Sequence, residues 1–452
     1  MPFELTREYI DELRQLIGDK EDEAVLDRLN DLHPADIAEI FMEIEPQESI
    51  YLYNLLDSET SADVLVELSE DEREKFIEEM PGDVIARKVI DNMESDDAAD
   101  LLGELSEEMQ EEVLQNIEDV EQAGDIADLL SYDEDTAGGL MAKELIQVNE
   151  DWDIARCITE IRRQAGEVNE FYYVYVVDKD DVLKGTVSLK KLIIARPTTR
   201  IKNIVETDII SVKTDMPSEE VANIMKKYDL VSIAVVDTIG RLVGRITIDD
   251  VVDVIKEEAE KDYQLISGIT EDVEHSDNVF LLTRARLPWL IIGLAGGILG
   301  SRVISMHESE LRISPEMALF FPLIGAMGGN AGVQSSSIVV QGIAAGTIDL
   351  QGTAGKLLKE FSVALINGFI LSGLLFAYNL LLSDSFALTI TVSIALFAVI
   401  IFASVFGTLV PLILNKFNID PALATGPFIT TTNDIIGLTI YLTIGRLMYG
   451  IF

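Results

Sequence analysis

The sequence predicts a multidomain protein: an α-helical, solenoid-like N-terminal domain, a tandem α+β pair, and an all-α membrane domain of five transmembrane helices. Three observations carry that prediction. The excess negative charge is confined to the first 280 residues, a stretch of about 120 residues holds two copies of one strand–strand–helix pattern, and five apolar runs follow Arg286. The chain has 452 residues, 34 Lys+Arg against 80 Asp+Glu, and a formal net charge of -46. From Leu281 onward the charges balance: eight basic residues (Arg284, Arg286, Arg302, Arg312, Lys356, Lys359, Lys416, Arg446) face eight acidic ones (Glu308, Glu310, Glu316, Asp349, Glu360, Asp384, Asp420, Asp434). An acidic soluble part is therefore joined to a neutral, apolar one.

These numbers exclude several classes. A polyanion lacks the basic footprint that binds nucleic acid, and 48% hydrophobic residues is too apolar for a disordered acidic chain. One cysteine, Cys157, cannot make a disulfide framework, and His33, His275 and His307 lie too far apart in sequence for a zinc enzyme. No nucleophile–base pair stands out, so no enzyme is expected.

Residues 1–134 read as the helical domain, with apolar residues three and four apart. A loose repeat runs through it: Ala35-Asp36-Ile37, Ala62-Asp63-Val64, Ala99-Asp100-Leu101 and Ala127-Asp128-Leu129. Its uneven spacing predicts a solenoid-like array rather than a strict repeat. Pro34, Pro46 and Pro81 suit helix starts and connecting turns.

Residues 135–200 and 201–262 read as the duplicated unit. Tyr173-Val174-Tyr175-Val176-Val177-Asp178 followed by Gly185-Thr186-Val187-Ser188 matches Ile233-Ala234-Val235-Val236-Asp237 followed by Gly244-Arg245-Ile246-Thr247; the copies stand 59 residues apart at Val177/Val236 and Gly185/Gly244. Ser188 and Thr247 fall where a helix cap is expected. This unit resembles the cystathionine-β-synthase (CBS) domain, which occurs in pairs. The resemblance implies an adenine nucleotide such as ATP in the central cleft, with Asp250 on the ribose; Lys191 stands at the equivalent place in the first copy.

The five apolar runs, about 287–304, 318–344, 361–382, 386–414 and 421–449, are each near the roughly 20 residues that cross a bilayer core. Trp289, Tyr441 and Tyr449 suit the interfaces. No signal peptide precedes the acidic part, so it is expected in the cytoplasm of a multi-pass inner-membrane protein, with the C-terminus outside. Arg284, Arg286, Lys356, Lys359 and Lys416 then face inward against Arg302, Arg312 and Arg446 outward.

Two polar islands interrupt these runs. The stretch 420–437 carries Thr430-Thr431-Thr432-Asn433-Asp434, a set of oxygen donors at membrane depth, and in the last three runs only Asp434 is a charge well inside. Hard cations such as Mg²⁺ take oxygen ligands and keep their water, so one or two carboxylates suffice; a packing Asp bonded to its Thr neighbours would leave the same pattern. The stretch 322–337 carries Gly328, Gly329 and Gly332 within five residues, a pattern of exposed backbone or of tight helix contact.

Gly328-Gly329-Asn330-Ala331-Gly332-x-Gln334-Ser335 and Asp420-Pro421-Ala422-x-x-x-Gly426-Pro427-x-x-Thr430-x-x-x-Asp434-x-x-Gly437 resemble the signatures of MgtE-type magnesium channels, and the order of domains matches along the whole chain. The resemblance implies a homodimer in the lipid bilayer, with a pore on its axis lined by the second and fifth spans. Pore ligands implied are Asp434, Asn433, Gly426, Thr430, Gly437, Asn330 and Asp420. Residues 249–280 become a connecting helix acting as a plug before the membrane domain at 281–452. Its acids Asp250, Asp253, Glu258 and Asp262, with Asp96, Asp100, Gly139, Glu219 and Asp229, become a Mg²⁺ sensor. Asp250, Asp253 and Glu257 share one helical face and repel. A salt-adapted acidic composition would give the same charge.

The function expected is Mg²⁺ uptake shut off by Mg²⁺ bound to the acidic domains. The rivals are a channel for Mn²⁺ or Co²⁺, and a CBS-domain membrane receptor that responds to nucleotide without conducting.

Overall fold

A computed structural model describes residues 3–77, 80–166, 168, 171–270, 273, 278–344, 353–383, 385–417 and 419–449. The chain divides between Lys256 and Glu257 into two compact units. Within the expected connecting segment, 271–272 and 274–277 lie outside the described residues.

The first unit begins with helices α1 (Arg7–Asp19), α2 (Asp22–Leu29), α3 (Pro34–Glu43), α4 (Pro46–Leu55), α5 (Ser58–Val66), α6 (Glu70–Ile77), α7 (Gly82–Lys88), α8 (Ser95–Gly103), α9 (Glu107–Asn116) and α10 (Val120–Leu129). They are short because the sequence punctuates them. Thr6, Asp57, Ser106 and Asp119 cap helix starts with side-chain oxygens, and Pro34 and Pro46 occupy first turns. The Ala-Asp repeat lies on α3, α5, α8 and α10, and it buries the apolar residue after each Asp: Ile37, Val64, Leu101 and Leu129. α3 packs on α5 and α8 on α10, so the repeat marks the contact face of a helical array.

Two three-stranded sheets follow. β1 (Gln147–Asn149) pairs parallel with β2 (Val174–Val177), which pairs antiparallel with β3 (Leu183–Val187). β4 (Ser211–Lys213), β5 (Ser232–Val236) and β6 (Leu242–Thr247) repeat the arrangement. The duplication persists in detail, because both antiparallel pairs shift register at the same place, Val176/Val177 and Val235/Val236. The copies also join reciprocally: Leu183 N–H donates to the Gly240 carbonyl (3.0 Å) and Leu242 N–H to the Asp181 carbonyl (3.0 Å). Those contacts interchange under the same 59-residue offset, which is the signature of a local pseudo-two-fold. Tyr175, Val177, Ala234 and Leu242 fill the seam between the sheets. Helices α11 (Ile154–Gln164), α12 (Leu189–Ile194) and α13 (Ser218–Tyr228) cover the sheets, with Ser188 accepting from Lys191 N–H at the start of α12. One hydrophobic core runs from the helical domain into the second copy, whereas the first copy keeps its own.

Helix α14 (Ile248–Ser267) starts in the first unit and ends in the second. The second unit then holds α15 (Val279–Met306), the short α16 (Glu308–Ile313), α17 (Phe321–Ala344), α18 (Thr353–Leu382), α19 (Phe386–Lys416) and α20 (Pro427–Tyr449). Among the described residues three helices are long and apolar enough to cross a membrane: Val279–Met306, Gly355–Leu382 and Phe386–Lys416. α17 and α20, at 24 and 23 residues, carry the polar islands that lower their apolarity. α19 is the central helix and packs on α17, α18 and α20.

Close approach explains part of the glycine island. A side chain on Gly407 of α19 would strike the backbone of Gly332 on α17, so the two helices touch main chain to main chain. Gly407→Ala is expected to lower the thermal unfolding midpoint in detergent, at a cost of about 1–3 kcal/mol for overpacking. Gly373→Ala on α18, with open space around its Cβ position, is the matched control and should leave the midpoint unchanged.

Candidate functional site: a carboxylate-lined cavity and an acidic cluster

In the second unit α15, α17 and α20 line an open cavity of about 470 Å³. Asp434 and Thr430, one helical turn apart on α20, reach it together with Thr431. Gly325, Gly329 and Asn330 of α17 form the facing wall, Gly325 and Gly329 leaving room for Asp434 and Thr430 respectively. The third wall is a run of small residues on α15: Gly293, Gly296, Gly297, Gly300 and Ser301. The chemistry is a carboxylate, hydroxyls and an amide presented from three helices. That donor set suits a hydrated hard cation and offers nothing to a soft metal.

The other residues of the two islands take different positions. Asn433, 1% exposed, points away from the cavity and donates from Nδ2 to the Gly328 carbonyl at 3.3 Å. Gly437 packs against Val399 of α19. Asp420 accepts from Ala422 N–H at 2.8 Å and caps the short 3₁₀ turn Pro421–Ala424. Gly426 has φ +52°, where L side chains are strained, and a Cβ there would meet the Ile266 carbonyl of α14. The last turn of α14 thus lies against the start of the helix that carries Thr430 and Asp434. Thr270, just past the end of α14, ties the chain there to α15, its N–H and Oγ1 both bonding the Ala285 carbonyl at 3.0 Å.

In the first unit the acids of α8 meet those at the start of α14. Asp97 feels Asp250, Asp100 and Glu94 as neighbouring charges, while Asp96 feels Asp97, Asp250, Glu144 and Glu94. Carboxylate oxygens of Glu94, Asp96 and Glu144 lie within 4.8 Å of one another. Burial, then the surrounding negative charge, pushes Asp97 up to about 7 and Asp96 well above the ordinary carboxylate range. Burial also raises Asp250, against the hydrogen bonds its Oδ2 accepts from Thr247 N–H (2.9 Å) and Oγ1 (2.7 Å). Those bonds turn Asp250 back onto the start of its own helix, so a ribose hydroxyl would have to compete for it. In the first copy Lys191 instead pairs with Glu206 at 2.6 Å.

Asp100, Glu219, Asp229 and Asp253 sit at the surface, Asp229 as the left-handed C-cap of α13. Glu258, in the second unit, pairs with Lys261 at 3.4 Å, and Asp262 lies a turn further along α14. Gly139 lies in the Thr136–Gly139 turn, its N–H bonding Thr136 Oγ1 at 3.4 Å. The structure adds Glu94, Asp97, Glu144 and Arg245 to the acidic cluster, and the α15 glycines to the cavity. The first two lie within two residues of Asp96 in sequence, and the glycines show small-residue spacing of three and four; Glu144 and Arg245 leave no local trace.

A carboxylate-bearing cavity among apolar helices, attached to an acidic helical domain and a CBS-type pair, defines a membrane transport protein. Family models match in the same order: the MgtE intracellular N domain over 32–135, CBS domains over 137–197 and 201–257, and the MgtE divalent cation transporter domain over 321–444. The chain belongs to the MgtE family. It is 32% identical over 440 residues to the magnesium transporter MgtE of Thermus thermophilus, covering 96% of this chain and 97% of that one. It is 30% identical over 413 residues to the magnesium transporter MgtE of Bacillus subtilis, covering 91% of each. Among solved structures it is similar to the cytosolic domain of the Mg²⁺ channel MgtE in complex with ATP, at 33% identity and TM-score 0.51, over 54% of this chain and 99% of that one.

Proposed function

We propose that this protein is a Mg²⁺ channel for uptake, closed by Mg²⁺ binding to its acidic soluble domains. The observation that carries the reading is the cavity in which Asp434, Thr430 and Asn330 converge from two helices. Its donors would hold Mg²⁺ through retained water rather than strip it, which fits an ion that dehydrates reluctantly. Asp434, Thr430 and Asn330 are the inner ligands in this reading; Asn433, Gly437, Gly426 and Asp420 position them. All five long helices of the second unit span the membrane in this reading, each exposing apolar side chains as lipid-facing residues would be: Leu290 on α15, Ile338 on α17, Phe369 on α18, Ile394 on α19 and Leu447 on α20. The acidic unit faces the cytoplasm and the C-terminus lies outside.

The channel is a homodimer in this reading. Helices α12 and α14 follow the equivalent strands of the two copies. Both expose apolar residues: Ile193 (79%) and Ile194 on one, Val252 and Ile255 on the other. A second copy of the chain supplies the matching face. The gate is the acidic cluster together with α14: Mg²⁺ shared among Asp96, Asp97 and Asp250, and bound as well by Glu219, Asp229, Asp253, Glu258 and Asp262, draws the helical domain and the CBS pair together; the end of α14 rests against Gly426. Similarity to a cytosolic domain bound to ATP supports an adenine nucleotide in the cleft between the CBS copies.

Purified protein in liposomes tests the transport reading. Mg²⁺ uptake above that of protein-free vesicles, competed weakly by Mn²⁺, Co²⁺ and Ca²⁺, is the expected result. Equal flux of Mn²⁺ or Co²⁺ would reassign the ion, and no flux at all would favour a receptor.

The cluster also sets a pH dependence. Asp97 binds its proton at about 7 when folded and near 3.8 when unfolded, so its contribution to stability is greatest below about pH 4 and falls as pH rises toward 7. Asp96 behaves in the same direction. In EDTA the unfolding midpoint of the soluble unit should therefore fall between pH 5 and 7.5, by the equivalent of a few kcal/mol, since each tenfold change in proton affinity is worth about 1.4 kcal/mol. Millimolar Mg²⁺ should flatten that slope, because a divalent ion replaces the proton; a slope unchanged by Mg²⁺ would remove the ion from the cluster.

A further inference from the structure

The end of α14 is built from backbone rather than from side chains. Gly268 N–H donates to the Leu265 carbonyl (3.0 Å) and Ile269 N–H to the Gln264 carbonyl (2.9 Å), with Gly268 at φ +82°. Those two bonds around a left-handed glycine make the Schellman ending of a helix. Gln264 then clasps the chain beyond it, its Nε2 donating to the Val273 carbonyl (3.2 Å) and its Oε1 accepting from Val273 N–H (3.4 Å). Thr270 N–H, which a longer helix would give to the Ile266 carbonyl, goes to Ala285 of α15 instead.

This cap is wedged between two of the three helices that line the cavity. Gly268 is buried, and a Cβ on it would stand 2.6 Å from Cγ of Pro427, the first residue of α20, and 3.7 Å from Trp289 Cβ on α15. Gly426, also left-handed, faces the Ile266 carbonyl from the α20 side. Trp289 stands one turn before Gly293, where α15 begins to line the cavity. Pro427 stands about one turn before Thr430 and two before Asp434. Further along, Gly296 of α15 packs on the Thr431 methyl of α20, so the two walls also touch each other. The cap lies where both walls set out, and no side chain fits at its tip.

We propose that Gly268 and Pro427 are positioning residues of the gate. They seat the end of α14 between α15 and α20, and through that seat the position of α14 sets the spacing of the two cavity walls. Neither residue touches the ion. α14 is continuous from the acids at its start to this cap. The inference rests on the reading that Mg²⁺ on the acidic domains closes the channel through α14.

The test is the Mg²⁺ current of the reconstituted full-length protein against Mg²⁺ on the side of the acidic domains, for wild type, G268N, P427A and G268N/P427A. Asn accepts a left-handed backbone, so G268N keeps the helix ending and adds a side chain against the Pro427 ring. G268N should conduct within about twofold of wild type at micromolar Mg²⁺, yet need at least about tenfold more Mg²⁺ to close. P427A loosens the seat without filling it and should raise the closing concentration only about threefold. The double variant should close like P427A, because the added side chain then has room; such non-additivity marks a direct contact. G268A, the smaller addition, should fall between wild type and G268N, and serves in its place if G268N does not fold. Wild-type closure in both Gly268 variants would overturn the proposal, as would a double variant no better than G268N. Loss of current at every Mg²⁺ concentration in both would make Gly268 a structural requirement of the pore and overturn it too. A wild-type current indifferent to Mg²⁺ would instead remove the gating reading, and the proposal with it.

Discussion

Asp434→Ala is expected to abolish Mg²⁺ flux, with at least about a 100-fold loss at wild-type levels of protein in the membrane. Among the described residues, the carboxylate is the one acidic side chain lining the cavity. A unit charge pair at 4 Å interacts by about 4 kcal/mol at an effective dielectric of 20, and a divalent ion doubles that for each carboxylate. Every 1.4 kcal/mol is a factor of ten, so even a water-separated contact at longer range accounts for the loss. Asp434→Asn keeps size and oxygen but not charge, and should be nearly as defective. Radiometric or dye-based uptake into proteoliposomes reads both. Undiminished flux in either variant would take Asp434 out of the conduction path and leave it a packing residue.

The second large effect is loss of closure. Neutralising Asp96 and Asp250 together to Asn should leave the channel open at millimolar internal Mg²⁺, and adding the α14 changes Asp253→Asn and Glu258→Gln should complete the loss. Asn at 250 still offers an oxygen to Thr247 N–H, so the start of α14 is preserved and the change is one of charge. Without these carboxylates bound Mg²⁺ has fewer ligands between α8 and α14, and the repulsion that opens the assembly is also reduced. The prediction is therefore specific: conduction persists, but its dependence on internal Mg²⁺ flattens, with the half-closing concentration raised about tenfold or closure abolished. Normal closure in the quadruple variant would place the sensor elsewhere.

What the sequence made legible depended on periodicity. The repeat of Gly185 at Gly244 announced the tandem pair, and the structure carries that repeat down to the shared register shift and the reciprocal Leu183 and Leu242 bonds. Asp434 stood out because charge inside an apolar run has few structural uses. Phase around a helix was not legible. Asn433 and Asp434 are adjacent, yet one faces Gly328 and the other the cavity, and only the neighbouring helices decide which. The glycines of α15 read as an ordinary span because small residues serve packing and cavities equally. Arg245 was invisible for a different reason. Its partners are Glu94 and Glu144, residues far apart in sequence that a long-range fold brings together, and no local pattern distinguishes a buried arginine in a strand from an exposed one.

The proposed conduction of Mg²⁺ through the cavity and its proposed closure by Mg²⁺ on the acidic side meet in one measurement. It is the Mg²⁺ current through the purified, reconstituted protein as Mg²⁺ on the side of the acidic domains is raised from micromolar to about 10 mM. Current is expected at the low end and its progressive, reversible loss at the high end, with Asp434→Ala silent throughout. A Mg²⁺ current indifferent to Mg²⁺ on that side, or one that grows with it, would contradict the coupling of the acidic domains to the pore.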